Sequence, residues 1–80
     1  MFENKVLINL YVLSLDKHFE IYFSVNDKIG NILILLKKSL FEEEINKNFI
    51  LLNLLNGTIY NNNDIVRQTD IKNGAKLMLV

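Results

Sequence analysis

The way this chain closes constrains its fold more than any other feature. Residues Asn61 to Val80 read NNNDIVRQTDIKNGAKLMLV. A polar, Asn-rich stretch carries the anchors Ile65, Val66 and Ile71, and the turn signal Asn73-Gly74 follows. Leu77 and Leu79 then alternate with Lys76 and Met78. A period of two sends successive side chains to opposite faces of a strand, so Leu77 and Leu79 read as buried. A strand reached so late must pair with partners already laid down. The expectation is a central strand of a small curved sheet.

Upstream, Lys5 to Leu15 (KVLINLYVLSL) has the same period and is rich in β-branched and aromatic residues. Turning Asn9 toward water places Val6, Ile8, Leu10 and Val12 on the buried face. Lys5, Leu7, Asn9, Tyr11 and Leu13 then point the other way. Asp16-Lys17-His18 reads as a hairpin turn. Phe19 to Val25 alternates with Phe19, Ile21, Phe23 and Val25 inward, so a hairpin opens the chain.

The period then changes. Asn26-Asp27 offers an N-cap for a helix over about Lys28 to Phe41. Ile29, Ile32, Leu33, Leu36 and Leu40 fall on one stripe at helical spacing. Lys37 and Lys38 suit the negative end of the helix dipole. Gly30 is a poor helix former, and Ile34 lies off the stripe. Glu42-Glu43-Glu44 reads as a solvated surface and Ile45 to Asn48 as a connecting loop. Phe49 to Leu55 (FILLNLL) is a third strand, Asn56-Gly57 a tight turn, and Thr58-Ile59-Tyr60 a short fourth strand. The polar segment Asn61 to Asp70 is anchored by Ile65 and Val66 around a 3₁₀ turn, and Ala75 to Val80 is the last strand.

The order is β-β-α-β-β-β, a mixed sheet with one helix packed on one face, in a two-layer α+β domain. No repeat or linker divides it, so residues 1–80 read as one domain. Half of the 80 residues are apolar, which supports a core without metal or disulfide. The chain has no cysteine, and hence no thiolate nucleophile or Cys-based zinc site. Nine basic and nine acidic side chains balance, so the basic footprint of a nucleic-acid binder is missing. Met1 to Lys5 is not the basic start of a signal peptide. The longest apolar run, Ile32 to Leu36, is far below the roughly 20 residues that span a bilayer. A soluble, cytoplasmic chain is the expectation.

The element order, with a hairpin, one helix and a closing strand, resembles the ubiquitin-like β-grasp. DKIGNILILL is similar to the helix entry of ubiquitin through Asp27, Ile29, Asn31 and Ile32. Gly57 fits a turn glycine and Leu77 with Leu79 the final strand. A closer resemblance is to the YukD/EsaB family, small ubiquitin-like proteins encoded with bacterial type VII secretion systems. It is carried by Lys5-Val6, Ile29, Asn31, Leu40, Gly57, Asn63-Asp64, Ile71, Gly74, Leu77 and Leu79, and covers nearly the whole chain. The resemblance implies a last strand parallel to the first, and a role as an accessory of secretion. Asn53 departs from the pattern, because gapless alignment places it at an inward apolar position. Burying an unpaired amide costs about 1–3 kcal/mol. The expected register is therefore shifted by one, with Ile50, Leu52 and Leu54 inward and Asn53 outward.

Ubiquitin and the ThiS/MoaD sulfur carriers act through a flexible C-terminal Gly-Gly. Here no glycine follows Gly74, so the expectation is a non-conjugated protein, and two alternatives stay open. One is a modifier or sulfur carrier whose tail is missing, and the other is a ubiquitin-like domain of a longer protein. His18 is the only histidine and reads as a surface residue. Asp16 with Glu20, and Asp64 with Asp70, are ordinary surface carboxylates. No phosphate-cradling or nucleophile motif exists. No enzyme activity, cofactor or metal is expected. What stands out is apolar surface. With the strand phases above, Leu7, Tyr11, Leu13, Leu51, Leu55, Met78 and Val80 lie on the sheet face away from the helix. A contiguous patch there marks a protein partner, a secretion-system component or a second copy of the chain.

Overall fold

The computed structural model describes residues 4–41 and 48–80. The sequence alternation that buries Ile8, Leu10 and Val12 makes β1 (Lys5–Val12), and β2 (Lys17–Ser24) folds back on it antiparallel. The connection comes earlier than expected. Leu13–Leu15 forms a 3₁₀ turn, and Asp16 takes the left-handed conformation (φ 50°), so Lys17 and His18 already belong to β2. An Asp tolerates that conformation better than most residues.

Helix α1 (Ile29–Leu40) buries Ile29, Ile32 and Leu36. Its N-cap is Lys28, and no side chain from Asn26 or Asp27 takes the capping role. The first N–H groups go instead to a distant loop. Ile29 N–H donates to the Asp64 carbonyl at 2.8 Å, and Gly30 N–H to the Asn62 carbonyl at 2.9 Å. A Cβ on Gly30 would stand 3.1 Å from Asn62 Cβ and O, which explains a glycine in a first helical turn. Its propensity cost of about 1 kcal/mol is offset by partners for N–H groups that a helix end leaves orphaned. Ile34 is exposed, as its place off the stripe requires. The acidic run Glu42-Glu43-Glu44 and most of the connecting loop lie outside the described residues.

The sheet has four strands in the order β2-β1-β4-β3. Strand β4 (Ala75–Leu79) sits between β1 and β3, parallel to β1 with Leu10 opposite Leu77 and Val12 opposite Leu79. Strand β3 (Leu51–Asn53) pairs antiparallel with β4. The core gathers inward side chains of all four strands with those of α1, closed by Phe49, Tyr60, Val66 and Ile71. Val66 begins the expected 3₁₀ turn, Val66–Gln68.

Two expectations about the third strand are corrected. Leu51 and Asn53 face the core at 0% and 8% exposure, whereas Ile50 and Leu54 are exposed. The register that seemed to bury an unpaired amide buries a paired one. Asn53 Nδ2 donates to the Tyr60 hydroxyl at 3.1 Å, and Asn53 Oδ1 accepts the Leu55 N–H at 2.8 Å. Tyr60 in turn donates to Asp70 Oδ1 at 2.6 Å. The strand is also shorter than Phe49 to Leu55. Thr58 to Tyr60 contributes one isolated bridge, Leu52 to Ile59, and not a fourth full strand. The Asn56-Gly57 turn is present, with Gly57 at φ 72°.

Candidate protein-docking face

The side chains that β1, β2, β3 and β4 turn away from α1 form one surface. Register fixes its centre. Tyr11 stands opposite Met78, and Met78 opposite Leu52, so three apolar side chains lie abreast across three strands. Such cross-strand neighbours are in direct contact range. His18 extends the row on the other side of Tyr11, with ring centroids 4.7 Å apart. The next row runs Glu20, Asn9 and Lys76, with Leu54 anchored beside it by its N–H to the Lys76 carbonyl. Together Asn9, Tyr11, His18, Phe19, Glu20, Leu54 and Lys76 line an open trough of about 570 Å³.

The residues expected on this face are placed unequally. Tyr11 and Met78 are half-buried in the central row. Leu7 is half-buried two rows along β1 from Tyr11, where its N–H donates to Asn73 Oδ1 at 2.8 Å. Val80 exchanges N–H···O bonds with Ile50 at 2.9 Å in both directions. Leu13 is exposed in the 3₁₀ turn and Leu55, at 78% exposure, beyond β3, at opposite ends of the sheet. Leu51 is not on the face at all. It is buried in the core because Asn53, two residues on, is held inward by Tyr60. The same phase brings in Leu52 and Leu54, which the sequence reading turned inward. The gapless alignment was the one signal that placed them correctly.

Tyr11 is fixed in place by a hydrogen bond from its hydroxyl to Asp16 Oδ1 at 2.6 Å. That bond to a carboxylate holds its phenol above the usual tyrosine range. His18 is exposed, and among the described residues no three His, Cys, Asp or Glu side chains converge as a metal site would need. Asp64 and Asp70 serve the loops: Asp64 Oδ2 accepts the Asn61 N–H, and Asp70 receives Tyr60 and Asn56. Among the described residues no helix is long and apolar enough to cross a membrane.

No family model and no curated protein matches the chain. Solved structures do. A structure described as molecular mimicry of SUMO in DNA repair aligns with a TM-score of 0.79 at 13% identity, covering 98% of this chain and 92% of that one. The ubiquitin-like domain of an Arabidopsis thaliana protein gives 0.73 at 12% identity, over 96% of this chain and 77% of that one. A chain of the ESX-5 inner membrane complex gives 0.78 at 10% identity over 96% of this chain, which matches 21% of that longer chain. The identities are too low to carry function, and the likeness is one of architecture. The chain has the ubiquitin-like fold, a mixed four-stranded sheet with one helix across it.

Proposed function

We propose that this chain is a ubiquitin-like adaptor that docks a protein partner on the outer sheet face, and that it serves as an accessory of a type VII secretion system. The observation that carries the docking role is the Tyr11–Met78–Leu52 row, apolar side chains abreast on a face no element covers among the described residues. Scattered exposed apolar residues are ordinary, but a contiguous set favours an interface. The mechanism is surface complementarity. The secretion role draws on the resemblance to the YukD/EsaB family and on the ESX-5 chain that contains the same fold. That chain also favours a second reading, a ubiquitin-like domain within a longer secretion component, because there the fold makes up about a fifth of the polypeptide.

The test is co-purification with the membrane ATPase of a type VII system, comparing the parent chain with Leu52→Ser/Met78→Ser. Leu54→Asp, at an exposed position, serves as a variant that leaves the core alone. The parent is expected to be retained and both variants lost, with far-UV circular dichroism and melting showing folded protein. Equal retention of folded variants rejects the outer face, and absence of any retention of the parent rejects the secretion role.

A further inference from the structure

A second surface lies away from the outer face and shares none of its central residues. Between α1 and the segment around Ile59 runs an open groove of about 710 Å³. Its apolar rim is made by Ile34, Ile50 and Ile59, which are 55%, 44% and 61% exposed. Three large side chains left in water around one groove are the kind of patch that a partner covers. The walls are already in place. The carbonyls of Asn62 and Asp64 accept the first N–H groups of α1, and Gly30 lets the Asn62 backbone lie against the helix.

The polar chemistry of the groove is one-sided. Lys28 and Lys37 both line it, and among the described residues no carboxylate does. The two lysines are nine positions apart along the helix, about 13 Å of axial rise, so they mark two ends of a trough. Four asparagines, Asn31, Asn48, Asn62 and Asn63, also line it. Their side-chain amides form none of the hydrogen bonds found among the described residues. Free amides beside an apolar floor suit the N–H and C=O groups of an extended peptide, and the two lysines, facing no carboxylate among the described lining residues, suit its carboxylates.

We infer that this groove binds a short acidic peptide segment of a partner protein, with bulky apolar side chains seated on Ile34, Ile50 and Ile59 and flanking carboxylates on Lys28 and Lys37. The inference does not depend on the outer face or on secretion, and with both surfaces occupied the chain would bridge two proteins. A peptide is favoured over an anionic lipid because acyl chains make no use of the four amides.

The experiment is selection from a phage library of random peptides of about ten residues, long enough to span the two lysines in extended form. Enriched sequences are expected to carry net negative charge around two or more large apolar residues. As synthetic fluorescent peptides they should bind at least tenfold more weakly to Lys28→Gln/Lys37→Gln and to Ile34→Ser/Ile59→Ser. These four positions are exposed or half-buried, so melting temperatures should barely move. Binding should also weaken as salt rises, and Leu52→Ser/Met78→Ser should leave it unchanged. No enrichment, neutral or basic consensus peptides, or affinity indifferent to both groove variants overturns the inference. So does flotation with phosphatidylglycerol vesicles that the groove variants abolish while peptide binding is absent.

Discussion

The opening hairpin with its helix and the stretch around β3 solve the same problem by different means. In β1 and β2 polar and apolar residues alternate, so only one phase hides the apolar set, and the structure adopts it. In FILLNLL six apolar residues surround a single polar one, and both phases bury leucines about equally well. There the decision falls to Asn53, whose amide is buried because Tyr60 and the Leu55 N–H satisfy it. Burial of a polar group is costly only when it lacks a partner. The lesson is that alternation sets strand phase where it exists, and polar satisfaction sets it where alternation fails.

The comparison breaks most visibly at Leu51. Leu51→Ala should cost about 2–5 kcal/mol, the range for deleting a buried leucine side chain, and Leu52→Ala clearly less. Urea unfolding of the pair measures both, and a reversal of that order would restore the shifted register. Asn53→Ala is next. It strands the Leu55 N–H and leaves the Tyr60 hydroxyl with one partner fewer, so about 1–3 kcal/mol should be lost. Asn53→Leu tests the same point from the other side, since an apolar residue of similar size should recover part of that loss.

Gly57→Ala should destabilise by about 1–2 kcal/mol, because a Cβ at φ 72° is strained whatever the space around it. Ser39→Ala, at an exposed α1 position, should by contrast be neutral or stabilising. The smallest effect is expected for Tyr60→Phe, about 0.5–1.5 kcal/mol, with a signature in pH. Burial, and then the bond to Asp70, push the Tyr60 phenol up to about 12 from about 10. Its contribution is therefore complete below pH 10 and lost as pH rises toward 12. The bonds from Tyr60 and Asn56 lower the Asp70 carboxyl below its ordinary 3.8. That contribution is present above pH 3.8 and lost as pH falls through the depressed value. Melting temperatures across pH should show both slopes in the parent and flatter ones in Tyr60→Phe.

Most of the architecture was legible before any coordinates. The helical stripe and the opening hairpin follow from periodicity, since each has one phase that hides its apolar residues, and the central place of β4 follows from its late arrival in the chain. The Asn26-Asp27 cap was not, because the carbonyls that serve α1 come from Asn62 and Asp64, more than thirty residues away in sequence. The outer sheet face was legible in part. Tyr11 and Met78 were placed correctly by the alternation in their own strands. Leu51 and Leu52 were exchanged because one side-chain hydrogen bond to Tyr60 outweighed a pattern with no preference of its own.

The parallel pairing of β1 with β4 also says something about how the molecule is made. Contacts such as Leu7 with Asn73 join residues 66 positions apart. As the polypeptide emerges from the ribosome, β1 can find β2 at once but has nothing on its other side. The hairpin and helix must wait, half-solvated, until Leu79 clears the exit tunnel. Loop closure over that distance is entropically slow, and it rewards nothing until it is complete. Assembly is therefore a single late event, and a nascent chain halted just before residue 75 should bind chaperones that the finished one ignores.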